Sequence, residues 1–294
     1  MTEALTLLAP AKLNLTLEVL GRRDDGYHEI ESVVQTVSLY DRLSFRLSES
    51  TSFFSSSPGW QPEMSLVPKA VALLREATSC ARGVTIEIEK NIPLGAGLGG
   101  DSSDAACVLI GLNQLWGLRL SRDSLHALAA RLGSDIPLFL YGGTVLISGR
   151  GEKVKPLPAL PHLWFVILKP DIATLPDKTA RLYAGLPTTY YSISAQIETR
   201  TKALVRLLKT GMTEATGLSF HNSFQRFAFD YFPELNVYSQ KFLAAGAKEI
   251  HLTGTGPAMF TITRSKNEAE RIYQNLKKEN LECYLAEPTQ PIEI

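Results

Sequence analysis

The sequence predicts an α+β protein of two domains. Its 294 residues are enough for two domains of ordinary size. Strand-like and helix-like segments are mixed without regular βαβ alternation, which favours α+β over a doubly wound parallel sheet. Three prolines, Pro156, Pro158 and Pro161, interrupt the pattern near the middle of the chain. We therefore predict an N-terminal domain over residues 1–158 and a C-terminal domain over residues 159–294.

The first domain is predicted to begin with extended chain. Apolar and polar residues alternate over residues 12–19, which is the period of a strand. A turn at 22–26 leads into a second extended segment at 27–39. The serine-rich stretch 48–62 is interpreted as a surface loop anchored by its aromatic residues. The other predicted segments are helices at 70–77, 103–116 and 121–132 and strands at 84–89, 144–148 and 153–157.

The second domain continues the mixture. Residues 163–168 are almost wholly apolar and indicate a buried strand. A charged amphipathic helix is predicted at 267–278, near the end of the chain. The remaining predicted segments are helices at 179–184, 197–209 and 234–245 and strands at 250–252, 258–263 and 283–286.

Composition excludes several classes of partner. Lysine plus arginine and aspartate plus glutamate both number 30, so no long-range attraction to nucleic acid or anionic membrane is expected. The three cysteines lie far apart without a Cys-x-x-Cys pair, which argues against a zinc site or a disulfide framework. No apolar run approaches the roughly 18 residues that span a bilayer. The N-terminus places Glu3 before any basic residue, unlike a signal peptide. We expect a cytoplasmic protein.

The segment Pro93-Leu-Gly-Ala-Gly-Leu-Gly-Gly-Asp-Ser-Ser103 is the strongest functional motif. Four glycines fall within six residues, between a predicted strand and a predicted helix. Glycine removes the β-carbons that would keep a phosphate from the backbone, and it permits positive φ where the chain curls. The free N–H groups and positive dipole end of the helix favour an anion. The pattern predicts a loop that binds nucleotide phosphate.

This loop differs from the two commoner phosphate loops. It lacks the Gly-Lys-Ser/Thr ending of a Walker A loop. Gly95-Ala-Gly-Leu-Gly-Gly100 matches Gly-x-Gly-x-x-Gly, but it follows Pro93-Leu94 and not the end of a strand. A flexible loop with a serine helix cap is the alternative interpretation.

Lys12 and Asp135 suit phosphoryl transfer. Lys12 and Asn14 share one face of the predicted strand, where the ammonium would stabilise charge on an attacking alkoxide or a phosphoryl group. The alternative is a solvated outer face. Asp135 follows a helix stop at Gly133 and would position or deprotonate a hydroxyl, or would cap the next turn. Such a pair across a phosphate loop is a minimal kinase site, because phosphoryl transfer needs positioning and charge neutralisation above all.

Two further motifs suit substrate binding. Tyr27 and His28 begin the second extended segment and would stack on, and hydrogen-bond to, a base or sugar, although packing alone also explains them. The turn Thr253-Gly-Thr-Gly-Pro257 would bring backbone close to a substrate if it faces the glycine loop. Otherwise it is a hairpin turn.

Together these motifs resemble those of the GHMP kinases. Members have a lysine-containing N-terminal strand, a Pro-x-x-x-Gly-Leu-Gly-x-x-Ser-Ser phosphate loop and a late Gly-x-Gly-Pro turn, and the resemblance runs from Pro10 to Phe260. It implies a two-domain fold, with an N-terminal domain like domain 2 of ribosomal protein S5 and a ferredoxin-like C-terminal domain. The segments Pro10-Ala-Lys-Leu-Asn-Leu-Thr-Leu17, Gly21-Arg-Arg-Asp-Asp-Gly-Tyr-His28 and Gly133-Ser-Asp-Ile-Pro137 are similar to members that act on a cytidine diphosphate-linked sugar alcohol.

The resemblance also implies residue roles. Lys12 and Asp135 correspond to the catalytic pair, and His28 corresponds to the residue that reads the cytosine. The implied substrate-binding residues are Asn14, Tyr27, His28, Thr179 and Tyr183. The implied ATP-binding residues are Lys90, Pro93, Leu94, Gly95, Ala96, Gly97, Leu98, Gly99, Gly100, Asp101, Ser102 and Ser103.

The implied activity is ATP-dependent phosphorylation of the 2-hydroxyl of a methylerythritol unit, in the non-mevalonate route to isoprenoids. Mg²⁺ is expected with the ATP, without assigned protein ligands, and the chain is expected to be a monomer or weak dimer. One alternative is another small-molecule GHMP kinase, acting on mevalonate, homoserine or a sugar, which would not need a cytosine pocket at Tyr27 and His28. The other is a GHMP-fold binding protein without catalysis, against which Lys12 and Asp135 both count.

Three positions depart from the family pattern. Asp101 stands where a glycine or small residue is usual, and its carboxylate would repel triphosphate unless it points outward, binds magnesium or caps the helix. Ser65 stands where an asparagine commonly contacts the adenine side. Residues 221–225 read His-Asn-Ser-Phe-Gln in place of Asn-Asp-Phe/Leu-Glu, a change that we expect to affect packing more than catalysis.

Overall fold

Two β-sheets and eight α-helices make up the part of the chain that the computed structural model describes, which is residues 4–173, 177–192, 198–211 and 219–293. The first sheet contains β1 (Ala4–Asn14), β2 (Thr16–Arg22), β3 (His28–Ser48), β4 (Ser52–Ser55), β5 (Gly83–Glu89), β6 (Thr144–Gly149), β7 (Lys153–Pro156) and β9 (His221–Asn222). The second contains β8 (Trp164–Leu168), β10 (His251–Leu252), β11 (Met259–Thr263) and β12 (Cys283–Ala286). The helices are α1 (Leu66–Thr78), α2 (Gly100–Leu115), α3 (Arg122–Leu132), α4 (Lys178–Gly185), α5 (Arg200–Lys209), α6 (Gln225–Tyr231), α7 (Glu234–Ala244) and α8 (Lys266–Lys278).

Strand β3 is the central strand of the first sheet. Its 21 residues pair with β1 and β2 along one edge and with β5 and β6 along the other. The predicted strand at 12–19 is therefore two strands, β1 and β2, which both pair antiparallel with β3. They are separated at Leu15, whose backbone N–H donates to Val33 O at 2.8 Å. The mixture of antiparallel sheets and helices confirms the predicted α+β class.

The polar side of this first segment is buried, so the interpretation of a solvated outer face is wrong. Lys12, Asn14, Thr16 and Glu18 are each at most 5% exposed. Later parts of the chain cover them. The carboxylate of Glu18 accepts hydrogen bonds from the backbone N–H groups of the first two residues of α5, each at 3.1 Å. A sequence period reveals two faces of a strand, but not what packs on each.

Helix α2 is enclosed between the first sheet and helices α1 and α3, as expected because residues 103–116 are apolar on nearly every face of the helix. It begins at Gly100, three residues earlier than predicted, with Gly99 as its N-cap residue. Helix α3 matches its prediction, because the Ser121 side chain accepts a hydrogen bond from the Ser124 N–H.

The second sheet is antiparallel, and α8 packs against its strands β8, β11 and β12. Ala269, Ile272 and Leu276 are the buried residues of α8, at the spacing of one helical face. Helix α5 begins at Arg200; residue 197, where its prediction started, lies outside the described residues.

Three of the strands and helices have no predicted counterpart. The stretch 48–62 is not loop throughout, because β4 lies within it and pairs in parallel with β5. Helix α6 and strand β9 have no predicted counterpart. Strand β9 has only two residues and pairs in parallel with the distant β2, so no local period identifies it.

The two sheets share a cluster of buried apolar side chains. It joins Leu13 and Val37 of the first sheet to Phe165 and Phe260 of the second. Ala96 and Leu98 of the glycine loop belong to the same cluster, so the loop is packed where the two sheets meet. The domain boundary after residue 158 stays a prediction. Among the described residues, no helix is long and apolar enough to cross a membrane.

Candidate active site

A single cleft of about 1470 Å³ brings together most of the predicted site residues. It is bordered by the glycine loop, the start of β3, helix α4 and the turn Thr253–Pro257. The predicted residues that line it are Lys12, Asn14, Tyr27, His28, Gly95, Gly97, Gly99, Ser102, Asp135, Thr179 and Tyr183. The predicted residues that do not line it are Lys90, Pro93, Leu94, Ala96, Leu98, Gly100, Asp101 and Ser103.

Successive residues of the glycine loop lie in turn at the cleft and in the core. Gly95, Gly97 and Gly99 line the cleft with φ of +66°, +86° and +75°, a region that favours glycine. Ala96 and Leu98, between them, are 1% exposed. A β-carbon on Gly97 would lie 2.9 Å from the backbone oxygen of Thr253. The late turn therefore faces the glycine loop, as the kinase interpretation requires.

Backbone hydrogen bonds fix this loop in place. The Leu98 carbonyl accepts from the Lys12 N–H at 2.9 Å, and the Ala96 carbonyl accepts from the Ala258 N–H at 3.1 Å. The Gly95 carbonyl accepts from Nζ of Lys178 at 3.1 Å. The cleft side of the loop holds the three glycines, which carry no side chains, and the N-terminus of α2. That arrangement suits an anion.

Lys12 lies at the floor of the cleft. It is 4% exposed, and its Nζ donates to Oδ1 of Asn14. Burial lowers the pKa of Lys12, while the charge of Asp135 acts in the opposite direction. Asn14 is held in turn by Oγ of Ser32, which accepts from its Nδ2 at 2.8 Å. The ammonium is thus positioned by a neutral amide, and no carboxylate among the described residues forms an ion pair with it.

Asp135 lies on the loop that follows α3. It is half-buried and lines the cleft, and a β-carbon on Gly151 would lie 3.3 Å from its Oδ1. The next helical turn is the 3₁₀ segment Pro137–Leu140, whose N-cap residue is Ile136 and which has no side-chain cap. The interpretation of Asp135 as a helix cap is therefore wrong, and its carboxylate is left to the cleft.

The other end of the cleft is aromatic. His28 is 8% exposed, its Nε2 lies 2.9 Å from Oη of Tyr191, and its ring centroid lies 5.3 Å from that of Tyr183. Burial lowers the pKa of His28. The Tyr27 ring is half exposed, and the guanidinium of Arg150 lies 4.9 Å from its centroid. These groups form an aromatic subsite at this end of the cleft.

Sequence reasoning missed Tyr191, Arg150 and Lys178, all of which line the cleft. The pair Tyr190-Tyr191 in polar surroundings was a weak signal, and Lys178 stands directly before the predicted Thr179. No local pattern marks Arg150. Thr179 itself lies with its Oγ1 at 3.3 Å from Oγ1 of Thr255, and the Tyr183 ring packs 4.6 Å from that of Phe224. Burial raises the pKa of Tyr183.

Lys90 lies beneath the loop and not in the cleft. Its side chain is 3% exposed and forms ion pairs with Asp41 and, at 2.7 Å, with Asp104. Burial raises the pKa of Asp104, while the charge of Lys90 acts in the opposite direction. Asp41 also accepts from the backbone N–H groups of Asn91 and Ile92, at 2.6 and 2.8 Å. The contacts of Lys90 are those of a structural ammonium that joins β3 to α2 and to the start of the loop.

Asp101 and Ser65, two of the departures from the family pattern, are partners. Oδ1 of Asp101 accepts from Oγ of Ser65 at 2.6 Å, and Oδ2 accepts from the Leu66 N–H at 3.0 Å. Ser65 is the N-cap residue of α1 and accepts from the Val67 N–H. Asp101 therefore points to the N-terminus of α1, where a carboxylate is stabilised, and away from the cleft.

The third departure, at residues 221–225, supports the late turn. Nδ2 of Asn222 donates to the carbonyls of Leu252 and Gly254, both at 2.8 Å. Gln225 bonds the backbone of Ile250 and Leu252. Neither side chain lines the cleft.

No cluster of three or more His, Cys, Asp or Glu residues in the described part of the chain could hold a metal ion by itself. A metal that enters bound to nucleotide needs fewer protein ligands, since phosphates and water supply most of them. The hydroxyl of Ser102, on the first turn of α2, lines the cleft.

Comparisons with known proteins agree with this geometry. Family models match the GHMP kinases N terminal domain at residues 65–143 and the GHMP kinases C terminal domain at residues 201–282, which confirms the two-domain fold. A relative from Dehalococcoides mccartyi named 4-diphosphocytidyl-2-C-methyl-D-erythritol kinase is 49% identical over 98% of this chain and 100% of its own length. A relative of the same name from Symbiobacterium thermophilum is 40% identical over 91% of this chain and 93% of its own. The crystal structure of a 4-(cytidine 5'-diphospho)-2C-methyl-D-erythritol kinase is 33% identical and superposes with a TM-score of 0.79 over 97% of this chain and 99% of that one. The chain therefore belongs to the GHMP kinases and, among them, to the family of the 4-diphosphocytidyl-2-C-methyl-D-erythritol kinases.

Proposed function

We propose that this protein transfers the terminal phosphate of ATP to the 2-hydroxyl of 4-diphosphocytidyl-2-C-methyl-D-erythritol, a step of the non-mevalonate route to isoprenoids. The observation that carries the proposal is the shared cleft: the glycine loop, Lys12 and Asp135 lie at one end and the aromatic subsite around His28 at the other. The names of the relatives supply the substrate.

ATP binds with its phosphates against the glycine loop. Gly95, Gly97 and Gly99 present no side chain there, and the N-terminus of α2 supplies N–H groups and a partial positive charge. Of the twelve predicted ATP-binding residues, we keep those that line the cleft as phosphate contacts. For Lys90 and Asp101 we propose support of the loop from behind, on the strength of their ion pairs and cap contacts.

Lys12 and Asp135 act on the transferring phosphate and the acceptor hydroxyl. The Asp135 carboxylate orients the 2-hydroxyl and accepts its proton as the oxygen attacks phosphorus. The Lys12 ammonium stabilises the negative charge on the attacking and transferring oxygens. Asn14 holds that ammonium in place, so it contributes through Lys12.

The cytidine end is held by the aromatic subsite. Since Nε2 of His28 is used by Tyr191, its Nδ1 is left for the edge of the cytosine. Tyr27 and Tyr183 offer ring faces for stacking, and Thr179 lies beside them at the start of α4. This subsite favours the cytidine-bearing substrate over mevalonate, homoserine or a sugar.

Mg²⁺ accompanies the ATP. When bound, it neutralises phosphate charge, and Ser102 is the protein ligand that we propose for it. The oligomeric state, a monomer or weak dimer, stays a prediction from the sequence. Because the proposed reaction consumes ATP, which is abundant in the cytoplasm, we propose that the protein is cytoplasmic.

The test is release of ADP with ATP, Mg²⁺ and 4-diphosphocytidyl-2-C-methyl-D-erythritol, against mevalonate and homoserine as control acceptors. Of the three acceptors, we expect ADP release only with the cytidine-bearing one. This release should be lost in the Asp135→Asn variant. Release with a control acceptor instead would favour another GHMP kinase activity. Binding of ATP without release for any acceptor would favour a binding protein.

A further inference from the structure

Lys178 is a second buried ammonium of the cleft. It begins α4, is 9% exposed and lines the cleft. Its Nζ donates to the carbonyl of Gly95 at 3.1 Å and to the carbonyl of Gly256. One carbonyl belongs to the glycine loop and the other to the late turn, so Lys178 lies where these two segments meet.

The charge of Lys178 is not balanced by the protein that surrounds it. In the described ranges no carboxylate forms an ion pair with it, and its hydrogen-bond partners are two neutral carbonyl oxygens. Burial, and then the nearby charge of Lys12, lower its pKa to about 8. A buried cation with neutral partners and a like charge beside it is costly, and an anion in the cleft would offset that cost.

The geometry leaves Lys178 a contact for such an anion. An ammonium has three N–H groups, and the two carbonyls use two of them. No third acceptor for Nζ lies among the described residues, and Lys178 lines the cleft, so the third N–H group is available there. Phosphate is the anion that a glycine loop at a helix N-terminus selects, and Gly95 of that loop is a direct partner of Lys178.

We infer that Lys178 is a further ATP-binding residue, whose ammonium contacts a phosphate oxygen of ATP at the junction of the glycine loop and the turn Thr253–Pro257. The inference rests on the proposed function for the identity of the nucleotide. It adds a cation to the site that neither the glycine motif nor the Lys12–Asp135 pair contains.

Three variants separate the charge of Lys178 from its hydrogen bonds. Lys178→Met removes the charge and both hydrogen bonds at similar length, whereas Lys178→Gln removes the charge and keeps N–H donors for the carbonyls. Lys178→Arg keeps the charge. Lys248→Met is the matched control, because that side chain is 81% exposed and its ion pair is with Glu268, away from the residues that line the cleft. Calorimetric titration with Mg-ATP and with the cytidine-bearing acceptor, together with thermal melting, is measured for each.

We expect Lys178→Gln to weaken ATP binding about 10- to 100-fold, the usual effect of losing one charged hydrogen bond. The acceptor affinity and the melting temperature should stay near those of the parent protein, and Lys178→Arg should restore most of the ATP affinity. If Lys178→Met does not fold, the ATP affinity of Lys178→Gln tests the inference by itself. The inference is overturned if folded Lys178→Gln binds ATP within twofold of the parent protein. It is also overturned if only the affinity for the acceptor falls. Because binding of ATP is measured directly, an inactive parent protein would refute the proposed function without deciding this point.

Discussion

Three buried lysines lie around the glycine loop, and they differ in what surrounds them. Lys90 is paired with Asp41 and Asp104; although burial alone would lower its pKa, the two carboxylates raise it. Lys12 and Lys178 have neutral oxygens as hydrogen-bond partners, and burial lowers the pKa of both. Both line the cleft, and Lys90 does not.

The comparison shows that burial of a charge does not by itself mark an active site. A lysine whose charge is balanced by the protein contributes to stability, because losing one partner leaves the other charge buried and unpaired. A lysine whose charge is left unbalanced at a cleft is suited to an anionic ligand. Four predictions test this difference.

The largest effect is expected for Lys90→Met, which leaves Asp41 and Asp104 buried without their cation. We expect a loss of about 3–5 kcal/mol in the free energy of unfolding, the usual cost of breaking a buried pair. Urea denaturation measures it, with Lys248→Met as the control, for which the change should stay under about 1 kcal/mol. A small loss of stability combined with weakened ATP binding would instead make Lys90 a nucleotide contact.

Next in size is the loss of turnover in Lys12→Ala and Asp135→Asn. Each removes a group that acts on the transferring phosphate or on the acceptor hydroxyl, and we expect kcat to fall at least ~100-fold. Circular dichroism should show both variants folded. Turnover near that of the parent protein in both would refute the assigned mechanism.

Asp101 should act on stability and not on ATP. Asp101→Ala removes the cap contacts to Ser65 and Leu66, so we expect a loss of about 0.5–2 kcal/mol in the free energy of unfolding. The ATP affinity should stay within about twofold of the parent protein. Ser65→Ala and the double variant complete a cycle in which the two losses should not add, since the residues share a hydrogen bond. Tighter ATP binding by Asp101→Ala would show that the carboxylate does repel the phosphates.

The smallest effect is a pH dependence. The pKa of Lys178 is lowered to about 8, so its ammonium is present below that pH and is lost above it. We expect kcat/KM for ATP to fall about fivefold between pH 8 and pH 9, as for a single titrating group. Lys12 and Asp135 lie in the same cleft, and Lys12 also has a lowered pKa, so a weaker alkaline decline should remain in Lys178→Arg. An unchanged profile in Lys178→Arg would assign the decline to Lys12.

Much of the site could be predicted from the sequence because its motifs are local. The alternation of three glycines with Ala96 and Leu98 sets which residues face the cleft, and Ser121 marks the start of α3. The positions of Lys12 and Asp135 on a strand and after a helix stop were also predicted, and both lie in the cleft.

The remainder depends on contacts between residues far apart in sequence. Asp101 and Ser65 are 36 positions apart, and His28 and Tyr191 are 163 apart. The contact of Lys90 with Asp41, 49 positions away, cannot be recognised from either local pattern. The residues that cover the polar side of β1 and β2 are also distant in sequence, so the burial of Lys12 could not be predicted.

The most direct test of the difference between these lysines is turnover per folded molecule of Lys12→Met and of Lys90→Met, measured with ATP, Mg²⁺ and 4-diphosphocytidyl-2-C-methyl-D-erythritol at low temperature, where the less stable variant is still folded. We predict that Lys12→Met loses at least ~100-fold in kcat with little change in melting temperature. Lys90→Met should melt earlier but keep kcat within about threefold of the parent protein, since its cation acts on stability. Folded Lys90→Met with as deep a loss as Lys12→Met, or active Lys12→Met, would contradict the account.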